Sequence, residues 1–314
     1  MTGDLFIAAP AGAEANGIGH SAVSISPEWS ILAQGNLRKM AAELAADGSG
    51  AVTYSLHLRN QGDASATPLL MSSLLGREVK LRFTGAIHCV ECGRLTRKSF
   101  NQGYCYPCFS RLASCDTCMM DPVTCHYDQG TCREPEWAES VCMNDHFVYL
   151  SNTSATKVGI TRYSQLPTRW LDQGASWALP IMRTRTRHQA GCVEALLRTC
   201  MSDRTAWQRM LKGEPEEVDL QVLRDELFER FATELNGLSQ RFGLQSLQPV
   251  TDVQTAHIRY PVLRYPDKIK ALNLDKTAEI SGTLLGIKGQ YWLLDTGVIN
   301  IRKFTAYEVQ IAVR

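Results

Sequence analysis

Residues 89–108, CVECGRLTRKSFNQGYCYPC, hold a Cys-x2-Cys pair, a twelve-residue loop and a second Cys-x2-Cys pair. Two such turns each offer two thiolates, and four soft sulfur ligands satisfy tetrahedral zinc. Gly93 and Gly103 stand beside the paired cysteines, where the backbone must bend to bring both sulfurs to one ion. The spacing predicts a structural zinc ribbon held by Cys89, Cys92, Cys105 and Cys108, with Arg94, Arg97 and Lys98 on its loop.

Working outward, nine of the eleven cysteines fall between Cys89 and Cys142. A secreted disulfide scaffold is usually smaller and pairs its thiols evenly, so the cluster reads as reduced, metal-binding cysteine in a cytoplasm. A second zinc is expected, with Cys115 and Cys118 supplying one half of its shell. The other half is assigned to Cys125 and Cys132, with Cys142 and His146 as the rival pair and His126 a further donor. Closed sites with four protein ligands leave no seat for water, so both ions should fold the block rather than catalyse. Cys192 and Cys200 read as ordinary buried thiols.

The chain has 314 residues, enough for two or three modest domains. Its 33 Lys and Arg nearly balance 32 Asp and Glu, so the total charge names no partner. Composition is that of a globular protein, and no apolar run approaches a membrane span. The first residues lack a basic start and a long apolar run, which makes a poor secretory signal.

The pattern along the chain predicts an α+β protein in several parts. Residues 1–36 read as a flexible leader, or else a packed N-terminal arm. Residues 37–88 hold alternating strands at 51–59 and 78–87, candidates to join a C-terminal barrel. The zinc-binding block spans 89–145. Residues 146–212 then give strands at 147–151 and 157–161, a short helix opened by Pro167 and stopped by Gly174, a strand at 179–186, and helices at 191–201 and 203–211. A connector at 213–250 carries a charged amphipathic helix over 218–242. Residues 251–314 read as a small β-barrel, with hairpin turns at Lys288-Gly289 and Thr296-Gly297.

Charge is uneven. Segment 157–212 has ten Lys or Arg against three acids, a local excess of seven. Arg183, Arg185 and Arg187 alternate, so one strand would point all three the same way, toward phosphate or toward plain solvent. Arg162 extends this basic face. Lys288, Arg302 and Lys303 add positive charge to the barrel, as in oligonucleotide-binding barrels.

The segment FVYLSNTSATKVGIT (147–161), with Arg169 on a short helix and Glu194 on a later one, resembles the GIY-YIG nuclease superfamily. Phe147-Val148-Tyr149 stands for the first signature and Lys157-Val158-Gly159 for the second. The resemblance implies a β-β-α-β-α core. Tyr149 would sit near the attacking water, Arg169 would clamp phosphate, and Glu194 would hold Mg2+ or Mn2+. Lys157 replaces the second signature tyrosine, where it could touch phosphate or act as a base. His146 could also serve as a base.

Over its whole length the chain also resembles an uncharacterised bacterial family, domain of unknown function 2797. The carrying phrases are CGRLTRKSFNQGYCYPCF, GTCREPEW, VYLSNTSATKVGITR, RWLDQGA and GIKGQYWLLDTGVINIRK. The expected function is nucleic-acid binding, DNA or RNA, with metal-dependent endonuclease potential. The rivals are an inactive nucleic-acid-binding module and a zinc-ribbon protein–protein adaptor.

Overall fold

The structure is a computed structural model that describes residues 28–59 and 68–314. Residues 1–27 of the expected leader lie outside the described residues, while its end is no leader, because Ser30–Leu37 is a strand paired with Tyr307–Val313.

Strand Glu78–Ile87 organises the larger sheet. Val79 and Leu81 alternate inward along it and are almost fully buried. It pairs antiparallel with Glu279–Lys288 on one side and Tyr307–Val313 on the other. The sheet continues through Tyr291–Leu294 to Gly297–Asn300 at one end, and through Ser30–Leu37 to Leu58–Arg59 at the other. These seven strands form an open, curled sheet, a half-barrel and not the closed barrel that the strand spacing predicts. A separate three-stranded sheet of Ala41–Leu44, Val52–Leu56 and Leu69–Leu70 packs into the same core.

Trp292 fills the centre of that core and is fully buried, its indole N–H 3.1 Å from the Met40 sulfur. Tyr291, on the opposite face, stacks on Trp207 with ring centroids 5.7 Å apart. Lys288 offers no surface charge. Its Nζ is buried against Glu214 Oε1 at 3.1 Å and the Gly213 carbonyl at 3.2 Å. The run 298–304 is a strand only as far as Asn300. Its remainder, Ile301–Phe304, is a 3-10 turn that places Arg302 and Lys303 side by side.

The second sheet runs Leu247–Pro249, Trp177–Thr184, His146–Asn152, Thr156–Arg162, with Ala256–His257 also on Trp177–Thr184. All its pairings are antiparallel. With helices Thr168–Asp172 and Arg187–Leu197 the order along the chain is β-β-α-β-α. Val148, Leu150, Val158 and Ile160 pack beneath helix Arg187–Leu197 and helix Leu220–Arg230. The expected long helix over 218–242 is two helices, Leu220–Arg230 and Ala232–Phe242, broken at Phe231. In the 203–211 region only Trp207–Met210 is helical.

The predicted strand at 179–186 ends at Thr184, because Thr186 starts a helix. Its hydroxyl accepts from the Gln189 amide at 3.3 Å, while the Gln189 side chain accepts from the Thr186 amide at 3.2 Å. This reciprocal capping box outweighs the alternating arginines. No helix among the described residues is long and apolar enough to cross a membrane.

Trp292→Ala should cost about 3–5 kcal/mol of stability. Urea unfolding followed by circular dichroism checks it, and a loss under 1 kcal/mol would contradict the central place given to this side chain.

Candidate metal centre and nuclease-like cluster

The Cys-x2-Cys turns fold as the spacing predicts. The Cys89 amide bonds the Arg94 carbonyl at 2.9 Å, and the Gly93 amide bonds the Cys89 carbonyl at 3.0 Å. Gly93 takes φ 70°, open to glycine at little cost. At Gly103 a Cβ would fall 2.5 Å from Val90 Cγ1, so nothing larger fits where the second turn crosses the first. Helix Tyr106–Arg111 then carries Cys108 inward.

The sulfurs of Cys89, Cys92, Cys105 and Cys108 all lie within 4.8 Å of one another. Cys92 and Cys105 are 3.7 Å apart, and the Cys105 amide donates to Cys89 Sγ at 3.2 Å. Burial opposes ionisation of Cys89, but amides of Cys105, Cys92 and Glu91 outweigh it and hold the thiol below its ordinary range. Burial and the neighbouring thiols push Cys108 the other way. Four thiols so placed repel as thiolates unless a cation joins them. The set could hold zinc.

The second expected set is not brought together as written. Cys115 turns toward the first cluster, where Asn101 Nδ2 donates to its sulfur at 3.4 Å. Cys118, Cys125 and Cys132 line a different small cavity, together with Cys142. Asp116, Cys118 and His126 form a weaker three-donor group, with donor atoms within 4.8 Å of one another. His146 is fully buried with Nδ1 2.7 Å from the Asn144 carbonyl, and burial drives its pKa down to about 4. It is neutral and sealed from water, unsuited to act as a base on an external substrate. Cys192 is buried, but Cys200 is exposed, contrary to the sequence reading.

The four residues of the nuclease-like signature do come into one electrostatic neighbourhood. Tyr149 faces Gly159 across the strand pair, so close that a Cβ at 159 would meet the phenol oxygen at 2.6 Å. The tyrosine is fully buried, its hydroxyl donates to Gln173 Oε1 at 2.8 Å, and its ring meets Trp170 edge-on. Burial raises its pKa, while Arg169 beside it partly offsets the rise.

Lys157 is only 3% exposed, and burial followed by Arg169 drives its pKa down to about 8, against the pull of Asp203 and Glu194. Burial raises Glu194, although Arg198, Arg187 and Arg169 pull it back. Among the described residues neither Lys157 nor Glu194 has an opposite charge within 4.0 Å. Arg169 Nε and the hydroxyl of Ser151, opposite Lys157 in the strand pair, are buried without a hydrogen-bond partner.

The arginine stripe does not form. Arg183 pairs with Asp145, Arg187 turns inward and donates to the Met119 carbonyl at 2.8 Å, and Arg185 is exposed with no acid partner among the described residues. Arg162 and Arg185 share an open hollow of about 670 Å³.

A second basic hollow, of about 680 Å³, was not foreseen. Arg97 and Lys98 from the ribbon loop meet Arg302 and Lys303 from the sheet there. Asp275 is its one acid and accepts from the Tyr307 hydroxyl at 2.6 Å. Arg302 donates to Gln102 Oε1 at 2.5 Å and lies within electrostatic reach of Arg169. Each cation pair was visible in its own segment, but their meeting depends on how the ribbon docks on the sheet.

These features define a mixed α+β protein with a curled half-barrel sheet and a four-cysteine cluster able to hold a metal. The chain belongs to the family described as Protein of unknown function (DUF2797), whose model matches residues 76–309. No curated protein and no solved structure matches the chain, and no match supports the GIY-YIG resemblance.

Gly159→Ala should destabilise the protein by about 1–3 kcal/mol, since the buried Tyr149 ring cannot retreat without strain. A melting shift within error of zero would refute that packing. Lys157 makes a separate prediction. Its folded pKa near 8 lies below the ordinary 10.5, so the unfolded chain binds the extra proton between those values. Stability should therefore rise from about pH 8 to 10.5, by about 3 kcal/mol. Lys157→Met should be the more stable protein at pH 7 and should lack this component of the rise. Parallel unfolding curves for the two proteins across that range would contradict it.

Proposed function

We propose that this chain is a nucleic-acid-binding zinc protein whose GIY-YIG-like core serves as scaffold rather than as an active nuclease. The observation that carries the reading is the basic hollow between the ribbon loop and the half-barrel. Four cations from two distant segments face one space, and the one acid there is engaged by Tyr307. Phosphate neutralisation is the ordinary use of such convergence. A shallower hollow of about 490 Å³ adjoins it, sharing Arg97, Asp275 and Tyr307, and is walled by Phe83 and Leu95. Leu95 is 65% exposed. The Phe83 ring, with aliphatic Leu95 near it and cations next door, suits an unpaired base beside its phosphate, so a single strand of RNA or DNA is the favoured ligand.

Tyr149 argues against hydrolysis. A sealed phenol that already donates to Gln173, with a raised pKa, is poorly placed to act on water. The active reading keeps one point in its favour, the unpaired Glu194 carboxylate near Arg169 and Lys157, where Mg2+ or Mn2+ would bind. In the proposed role zinc at Cys89, Cys92, Cys105 and Cys108 fixes the loop that carries Arg97 and Lys98. A dense cluster of metal-binding cysteines suits a reducing compartment such as the cytoplasm.

The test is fluorescence anisotropy of labelled single-stranded RNA and DNA over a range of salt. Affinity should fall steeply with salt, and Arg97→Ala combined with Lys303→Ala should reduce the log–log slope by about 1.4. Salt-independent binding, or none, would favour the adaptor alternative and end this reading. Incubation with Mg2+ and Mn2+ should leave the strands intact. Cleavage by the wild type that Glu194→Ala abolishes would restore the nuclease.

A further inference from the structure

We infer that Cys118, Cys125, Cys132 and Cys142 form a second four-thiolate zinc centre, which braces the helix carrying Glu194. The four come from separate local turns. Cys118 lies in turn Thr117–Met119, Cys125 closes turn Pro122–Thr124, Cys132 follows the left-handed Gly130, and Cys142 caps helix Pro135–Val141. They line one enclosed cavity of about 20 Å³, walled by Trp137 and Met143. That is room for about one small sphere. The Cys118 thiol feels Cys125, Cys142 and Cys132 electrostatically, and Cys142 feels Cys125 and Cys132. All four are free thiols.

The harder donors nearby are already engaged. Asp116 accepts from Arg133 Nε at 2.6 Å, from the Thr117 amide at 2.6 Å and from the Thr117 hydroxyl at 3.1 Å. His126 Nδ1 is 2.8 Å from the Thr131 hydroxyl, and its Nε2 lies 3.6 Å from Asp116. An ion on Oδ2, the Asp116 oxygen that faces His126, would have to compete with the Arg133 guanidinium. The His126–Asp116–Arg133 chain instead suits an outer ring that fixes the turn bearing Cys118. The four sulfurs line the same cavity as Asp116 and His126 but stand farther apart than those of the first cluster, so a soft tetrahedral ion would have to draw them in.

The segment needs such a staple. From residue 116 to 141 its buried residues are Asp116, Pro122 and Ala138 alone. So small an apolar core is poorly able to hold the three 3-10 turns of this stretch in place, and metal binding would supply the missing folding energy. The packed consequence lies next door. A Cβ on Gly191 would meet Pro122 Cβ at 2.3 Å, and Arg187 donates to the Met119 carbonyl. The turns between Cys118 and Cys125 are thus the surface on which helix Arg187–Leu197 rests.

Zinc content of the full-length protein tests this independently of nucleic-acid binding. Wild type should carry two zinc ions per chain by elemental analysis, Cys142→Ser one, Cys92→Ser one, and Cys115→Ser two. One ion in wild type, or two in Cys142→Ser, overturns the assignment. If Cys142→Ser fails to fold, cobalt-loaded wild type decides. Two equal four-sulfur d–d signatures support the centre, and one four-sulfur signature beside a mixed nitrogen or oxygen one refutes it.

Discussion

Four thiols gathered within a few ångströms are unstable neighbours once they ionise, and a bound cation is what turns their repulsion into a fixed shape. That constraint applies to Cys89, Cys92, Cys105 and Cys108, a set that could hold a metal ion. The joined turns hold the loop between them in a strained path, with Asn101 and Gln102 at positive φ. Gln102 in turn receives Arg302 from the half-barrel. The ribbon therefore acts as a clamp that sets its own cations beside those of the sheet.

The second sheet and its helices gather Tyr149, Lys157, Arg169 and Glu194 but bury them unequally. Tyr149, Lys157, Arg169 and Glu194 interact through their charges, yet the phenol is sealed and hydrogen-bonded. The burial that removes the tyrosine from water also leaves Lys157 and Glu194 without close counter-charges. An unpaired charge at Lys157, almost fully buried, is costly.

How much of this was legible in the sequence depended on whether the signal was local. The Cys-x2-Cys turns, the strand pair at 146–162 and the hairpins near Gly289 and Gly297 are short-range, and the residues themselves foretold them. The arginine stripe failed because a local rival was overlooked. Thr186 and Gln189 form a capping box, and that pair was there to be read. Other features had no local signal. Lys288 looks like a surface cation until Glu214 and Gly213 close over it. Cys115 looks like half of a metal pair until Asn101 draws it away. The meeting of Arg97 and Lys98 with Arg302 and Lys303 joins segments two hundred residues apart.

The strand Glu78–Ile87 has a consequence for biosynthesis. It is flanked on both sides by strands made far later, from residue 279 onward. During synthesis its two hydrogen-bonding edges must wait while the cysteine block and the second sheet emerge from the ribosome. The cysteine turns and the strand pair His146–Asn152 with Thr156–Arg162 are built from near neighbours and can form early, whereas the larger sheet joins strands distant in sequence. The half-barrel is therefore the last part to be completed, and until then the nascent chain exposes an unpaired edge on which a folding helper could act.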